Sequence, residues 1–383
     1  MARWKSIGFA RFRSLILAIG RPSSARRART SSRASMGVLG NFESRVLLSA
    51  TLEASGNSGS VLASPLSSVE NQSQPSAGAP EPQSAPLYAL ANTFTLSSRP
   101  SATKTIYLDF NGHLFSGTTW NAQNNNQDFT LAAYSFEGDA TFTNSELERI
   151  QNIWARVAED FSPFDVNVTT APPPAADLVN AGSGDQRWGI RAVIGGTFSA
   201  YSSSGATAIS GSFNQTQDNP AMVFEDNLGN GDEKYVAEAT TLMVGRSMTL
   251  GFDGRTSPVE GFYAGHGSGA TGWAPIMGNG YYSNLTQWSQ GEFTAANNTQ
   301  DDLSIITTQT GFGYRPDDAG NSINFAAHIV SSGSGVRVNV DQPGVIETRT
   351  DADFFRLDVA SGLVNLTVNG GPVGSNLDIL AEV

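Results

Sequence analysis

Apolar residues recur at helical spacing in two stretches and alternate at strand spacing in several others. Leu147, Ile150, Ile153, Trp154, Val157 and Phe161 lie on one face of a 3.6-residue period. The capping box Thr143-Asn144-Ser145-Glu146 opens that helix. Val236, Ala239 and Leu242 or Met243 mark a second helix, with Arg246 as the exception to the pattern. Asp232, in an Asn-Gly-Asp turn, caps its start, and Gly251 and Gly254 are the breakers at its end. Thr105-Ile106-Tyr107-Leu108-Asp109-Phe110 reads as a strand closed by Asn111-Gly112. Phe164–Val168, Arg191–Gly195 and Ala221–Phe224 read as further strands, and Thr93–Leu96 as an earlier one. Residues 115–130 read as polar loop, and 265–269 as a long glycine-rich surface loop. Strand, helix, three strands and a second helix is an α/β (α+β) order: a twisted sheet with two long helices.

The pattern changes at both ends. Residues 51–100 are rich in Ser, Ala, Pro, Gly and Asn and read as a disordered linker, because they carry too little apolar surface to offset ordering. Residues 309–336 read as a connection. Alternating runs at 344–348, 353–359, 363–368 and 377–380 then predict about four strands of a partial β-sandwich over 337–383.

Charge divides the chain again. The formal net charge is −12, yet ten of the 23 Lys and Arg lie before residue 46, opposed there only by Glu43. Residues 1–50 therefore read as a basic targeting segment, and the acidic remainder argues against nucleic acid or an anionic membrane surface as partner. No apolar run reaches the ~20 residues of an integral membrane span. The absence of cysteine excludes disulfides, thiolate metal sites and a cysteine nucleophile. No Ser/His/Asp nucleophile motif, P-loop or dinucleotide fingerprint is present.

Residues 242–254 resemble the zinc-binding segment of the metzincin metalloproteases, H-E-x-x-H-x-x-G-x-x-H followed by a Met-turn. Val244, Gly245, Leu250, Asp253 and Gly254 match the bacterial form, and Met277, in Ala274-Pro275-Ile276-Met277-Gly278, matches the Met-turn. In that family two histidines at i and i+4 and a third beyond a glycine hold zinc, and the glutamate is the general base. Here the ligand positions hold Leu242, Arg246 and Phe252, the base position Met243 and the glycine position Thr249. The resemblance covers about 103–308, including Trp154–Phe161 and Tyr263–Gly267. It implies a metzincin-like catalytic-domain fold over 101–308 whose zinc chemistry is absent. Residues 39–50 resemble the L-E-P-R-x-L-L sorting motif of bacterial surface proteins, keeping Glu43, Arg45, Leu47 and Leu48 and departing at Phe42 and Ser44. Residues 337–383 resemble the start of the pre-peptidase C-terminal-type domain found after secreted bacterial proteases.

The three histidines, His113, His266 and His328, are nowhere i, i+4 apart and read as loop or surface residues, His328 after a helix and His266 near the Met-turn. The acidic loop Glu225–Glu233 reads as a turn and helix cap, with calcium the other reading for it and for Asp351 and Asp353. The expectation is an exported, secreted or cell-surface pseudoenzyme with neither catalytic nor metal-binding residues at the family positions and no cofactor. It acts as a binding or structural module, its partner an extracellular protein or polysaccharide. Two alternatives stand beside it: an active metallopeptidase with non-standard zinc ligands, and the product of a decayed or frameshifted gene.

Overall fold

The computed structural model describes residues 85–136, 141–198, 204–329, 340–358, 365–377 and 379–382 in full, and backbone alone at 15–20, 45–53, 339 and 363–364. Its centre is a five-stranded sheet. In chain order its strands are β1 (Lys104–Asp109), β2 (Asn167–Thr169), β3 (Trp188–Gly195), β4 (Ala206–Thr207) and β5 (Ala221–Phe224). They lie side by side as β2-β1-β3-β5-β4, the first four parallel and β4 antiparallel at the edge. The molecule is thus α+β, with a mostly parallel sheet and few helices.

A parallel sheet needs cover on both faces, and period-two alternation divides its side chains between two cores. Ile106, Leu108, Ile190, Ala192, Ile194 and Val223 enter the main core, under helices α1 (Asn144–Asp160) and α2 (Glu233–Ser247). Val193, Met222 and Phe224 enter a second core with Phe115, Trp120, Phe129 and Leu131. That second layer corrects the reading of 115–130 as loop. Strand His113–Phe115, helix Thr119–Gln123 and strand Phe129–Leu131 fold over the far face of the sheet.

The cap of α1 forms as its sequence predicts: the Thr143 backbone N–H donates to Glu146 Oε2 at 2.6 Å, and the Glu146 N–H donates to Thr143 Oγ1 at 3.3 Å. Ile150, Ile153, Trp154 and Val157 are buried, and Trp154 Nε1 donates to the Val168 carbonyl at 3.0 Å, pinning the helix to β2. Helix α2 packs against α1 and is buried nearly all round, so its sequence shows only a weak stripe. The short helix α3 (Asp302–Gln309) adds Leu303 and Ile306 to the same core.

Three more expectations are corrected. Thr93–Leu96 lies in and after the 3₁₀ turn Leu90–Thr95, not a strand, and Thr93 and Leu96 are buried. The ordered body therefore reaches back to Tyr88, whose ring meets Trp154 edge-on, so 88–100 is not linker. His328 follows a helical turn as expected, the 3₁₀ turn Ile323–Phe325, but itself stands in strand Ala327–Ile329. Residues 377–380 form no strand where they are described; the last strand is Ala381–Glu382.

The C-terminal strands Asn339–Val345 and Leu363–Asn369 pair antiparallel with Arg45–Glu53, while Phe354–Asp358 lies parallel between Leu15–Gly20 and Ala327–Ile329. Their core is small: Ala319, Ile329, Val340, Phe355 and Leu357 among the described residues. The rest of 1–84 lies outside the described residues, as does the targeting reading of 1–50 as a whole. No helix among the described residues is long and apolar enough to cross a membrane.

Candidate functional site

The second helix ends in a way that explains the spacing of residues 242–254. Asp232 starts it, accepting from the Lys234 and Tyr235 N–H groups at 3.0 and 3.1 Å. At the other end the Leu250 N–H returns to the Gly245 carbonyl at 3.2 Å and the Thr249 N–H to Arg246 at 3.1 Å. That pair of bonds is a Schellman closure, which places its C′ residue in the left-handed region. The C′ residue is Thr249, with φ +75°. A β-branched side chain is strained there, whereas glycine is not. The helix thus stops before Gly251 and Gly254, and the breaker is backbone geometry at Thr249.

The turn reverses the chain and brings residue 252 back over the last turn of α2. Leu242 and Arg246 lie one helical turn apart on one side. The Arg246 guanidinium sits over the Phe252 ring, 5.3 Å from its centroid, and Nη1 donates to the Leu250 carbonyl at 3.0 Å. Phe252 in turn packs on Phe262, with ring centroids 4.8 Å apart. Leu242 and Met243 are buried in the main core. Two of the three positions that hold ligands in the resembled family are therefore filled by a cation–π pair, and the third by an aliphatic core residue.

Beneath this segment lies a tight turn. The Gly278 N–H donates to the Pro275 carbonyl at 2.9 Å, and Met277, fully buried, faces Gly245. A Cβ at Gly245 would stand 2.7 Å from Met277 Sδ, so glycine is what allows this approach. The Met277 carbonyl accepts from the Asp253 N–H at 2.8 Å. Asp253 is then locked by Ser289 Oγ at 2.5 Å and Asn298 Nδ2 at 2.9 Å, and burial pushes its carboxyl up to about 6. Asp253 and Met277 thus fix the backbone around Phe252 from two sides.

None of the histidines stands at positions 242, 246 or 252. His113 packs edge-on against Phe115, and burial lowers its pKa. His266 exchanges backbone hydrogen bonds with Trp273, and its Nδ1 is 3.1 Å from Tyr263 Oη. His328 Nε2 is 3.1 Å from Asp358. In the loop 225–233, Asp226 accepts from the Thr197 N–H at 2.9 Å, Asp232 caps α2, and Glu233 accepts from Asn152 Nδ2 at 2.8 Å.

Among the described residues, one group of three or more His, Asp or Glu side chains is spaced for a metal ion, and it contains no histidine: Asp317, Glu347, Asp351 and Asp353. The sequence singled out Asp351 and Asp353. Glu347 stood at i−4 of Asp351 as a signal that was passed over, and Asp317 joins only through the fold.

No protein-family model matches the chain, and no curated protein or solved structure matches it.

Proposed function

We propose that the chain is a non-catalytic relative of the metzincin metallopeptidases, exported to act as a binding or structural module at the cell surface or outside the cell. The observation that carries this reading is the Arg246–Phe252 pair, set on a backbone that still makes the left-handed turn at Thr249. A zinc ligand must offer a lone pair. A guanidinium offers none and brings a positive charge, and the Leu242 and Phe252 side chains have no donor atom. Met243 has no basic group to take a proton from a metal-bound water.

Four further features support the family reading: the antiparallel edge strand beside β5, the paired helices, the Pro275–Gly278 turn under Gly245, and the anchored Asp253. Each is a feature that a relative of that family would keep, and an extracellular protein or polysaccharide is the partner class that suits an acidic exported module. Expression of the full chain in a bacterial host, followed by fractionation, tests the export half. Recovery from the envelope or medium is expected, and retention in the cytoplasm with an uncleaved, unsorted N-terminus would contradict it. The catalytic half is tested by metal content and peptidase assay, as set out in the Discussion.

A further inference from the structure

The chain leaving α3 and the chain entering the C-terminal strands bring four carboxylates together. Asp317, Glu347, Asp351 and Asp353 each contribute an oxygen, and these oxygens lie within 4.8 Å of one another. Glu347, Asp351 and Asp353 are only 2%, 3% and 1% exposed, which places three acids at one spot away from water. Arg315 is the neighbouring cation, with Nε 3.5 Å from Glu347 Oε1 and a second nitrogen 3.9 Å from Asp318.

Two of the four acids are held in place by hydrogen bonds and two are not. Asp351 accepts from the Glu347 and Ala352 N–H groups, both at 2.8 Å. Asp317 accepts from the Ala319 N–H at 3.0 Å and Asn321 Nδ2 at 2.8 Å, and Asn321 Oδ1 accepts from the Ala352 N–H at 2.8 Å. By contrast, neither oxygen of Glu347 and neither oxygen of Asp353 has a hydrogen-bond partner. Gly344 leaves room for them, since a Cβ there would lie 2.9 Å from Asp353 Oδ2. Buried carboxylate oxygens without donors are costly, and one arginine at 3.5 Å does not offset a cluster of four acids. The missing counter-charge is what a cation would supply.

We propose that Asp317, Glu347, Asp351 and Asp353 form a calcium site that staples the segment after α3 to the C-terminal β region. The donor set is all oxygen, which selects a hard cation over zinc or copper. Four carboxylates, each able to bind through one or two oxygens, suit the six to eight ligands of calcium better than the rigid, water-retaining octahedron of magnesium. The staple joins Asp317, after α3, to acids that follow strand Asn339–Val345, so its effect is on attachment of the C-terminal strands.

The test uses the full chain, stripped with EGTA and titrated with calcium by calorimetry and by thermal melting. One calcium per chain and a rise in melting temperature of several degrees at millimolar calcium are expected. Glu347→Gln and Asp353→Asn should each weaken calcium binding by about tenfold or more, while melting in EGTA at or above wild type because each removes repulsion. Asp317→Asn, at the exposed rim, weakens binding without risk to folding. Failure of folded wild-type protein to bind millimolar calcium would overturn the proposal. An unchanged calcium response in all three variants, or an equal response to magnesium, would overturn it as well.

Discussion

Two places in this molecule differ in what their backbone and their side chains supply. At the end of α2 the backbone is tightly fixed, by a left-handed turn at Thr249, a supporting turn at Met277 and an anchored Asp253. The side chains there are Leu242, Arg246 and Phe252, which close the place with apolar and cationic groups. At Asp317, Glu347, Asp351 and Asp353 the ligands are present and unsatisfied, on irregular chain between two regions. The difference teaches that backbone geometry and ligand chemistry are separable. The core built from α1, α2 and the sheet is held by packing and needs no metal to keep its shape. The C-terminal region has only a small core of its own and depends on polar ties.

The largest effect expected follows from restoring chemistry to the first place. The variant Leu242→His, Met243→Glu, Arg246→His, Thr249→Gly and Phe252→His should bind zinc with micromolar or tighter Kd, a gain of about 8 kcal/mol over no binding. Leaving Thr249 in place should weaken that binding. A folded fivefold variant that takes up no zinc would break the comparison, since the backbone would then not be a cradle.

Next in size is the tie between the two regions. Asn376 Nδ2 donates to Asp160 Oδ1 at 2.9 Å, its Oδ1 accepts from the Thr286 N–H at 2.9 Å, and its own N–H donates to Glu159 at 2.8 Å. Asn376→Ala strands buried groups on Asp160 and Thr286 and should cost roughly 2–4 kcal/mol. Limited proteolysis should then release the C-terminal strands before the body is cut. Unchanged stability and an unchanged digestion pattern would show that Asn376 does not hold the regions together.

The acid cluster gives the pH dependence. Glu347 and Asp353 carry raised folded-state values, about 10 and about 9, above their ordinary values near 4. The folded chain then holds more protons than the unfolded chain between those limits, so stability falls as pH rises. In EGTA the decline should run from about pH 4 towards pH 9. Saturating calcium should flatten it, and a profile identical with and without calcium would separate the cluster from metal binding.

The smallest effect is Thr249→Gly alone. It relieves the left-handed strain and loses only the exposed Thr249 Oγ1–Gln309 bond of 3.2 Å, so it should stabilise by about 1 kcal/mol. Destabilisation in a thermal melt would place the strain elsewhere.

Much of the first place was legible in the sequence, because helical periodicity, the Asp232 cap and the spacing from 242 to 253 are local signals. The strain at Thr249 is that of a β-branched residue in a left-handed position that suits glycine. The helix end was misplaced at Gly251 because glycine is the usual breaker, and only the closed hydrogen-bond pattern shows that Thr249 serves instead. The layer from His113 to Leu131 was missed because its buried residues, Phe115, Trp120, Phe129 and Leu131, are scattered among Asn and Gln. The second place was half legible: Asp351 and Asp353 are two residues apart in sequence, but Asp317 reaches them through tertiary structure, which periodicity does not encode.

The most direct test of the central claim is the zinc content of the wild-type full chain, purified, exposed to zinc in excess calcium, and dialysed, with casein cleavage followed in parallel. Excess calcium keeps the carboxylate cluster from scavenging zinc. The account predicts far less than one zinc per chain and no chelator-sensitive cleavage. One retained zinc per chain, together with cleavage abolished by chelator, would contradict it.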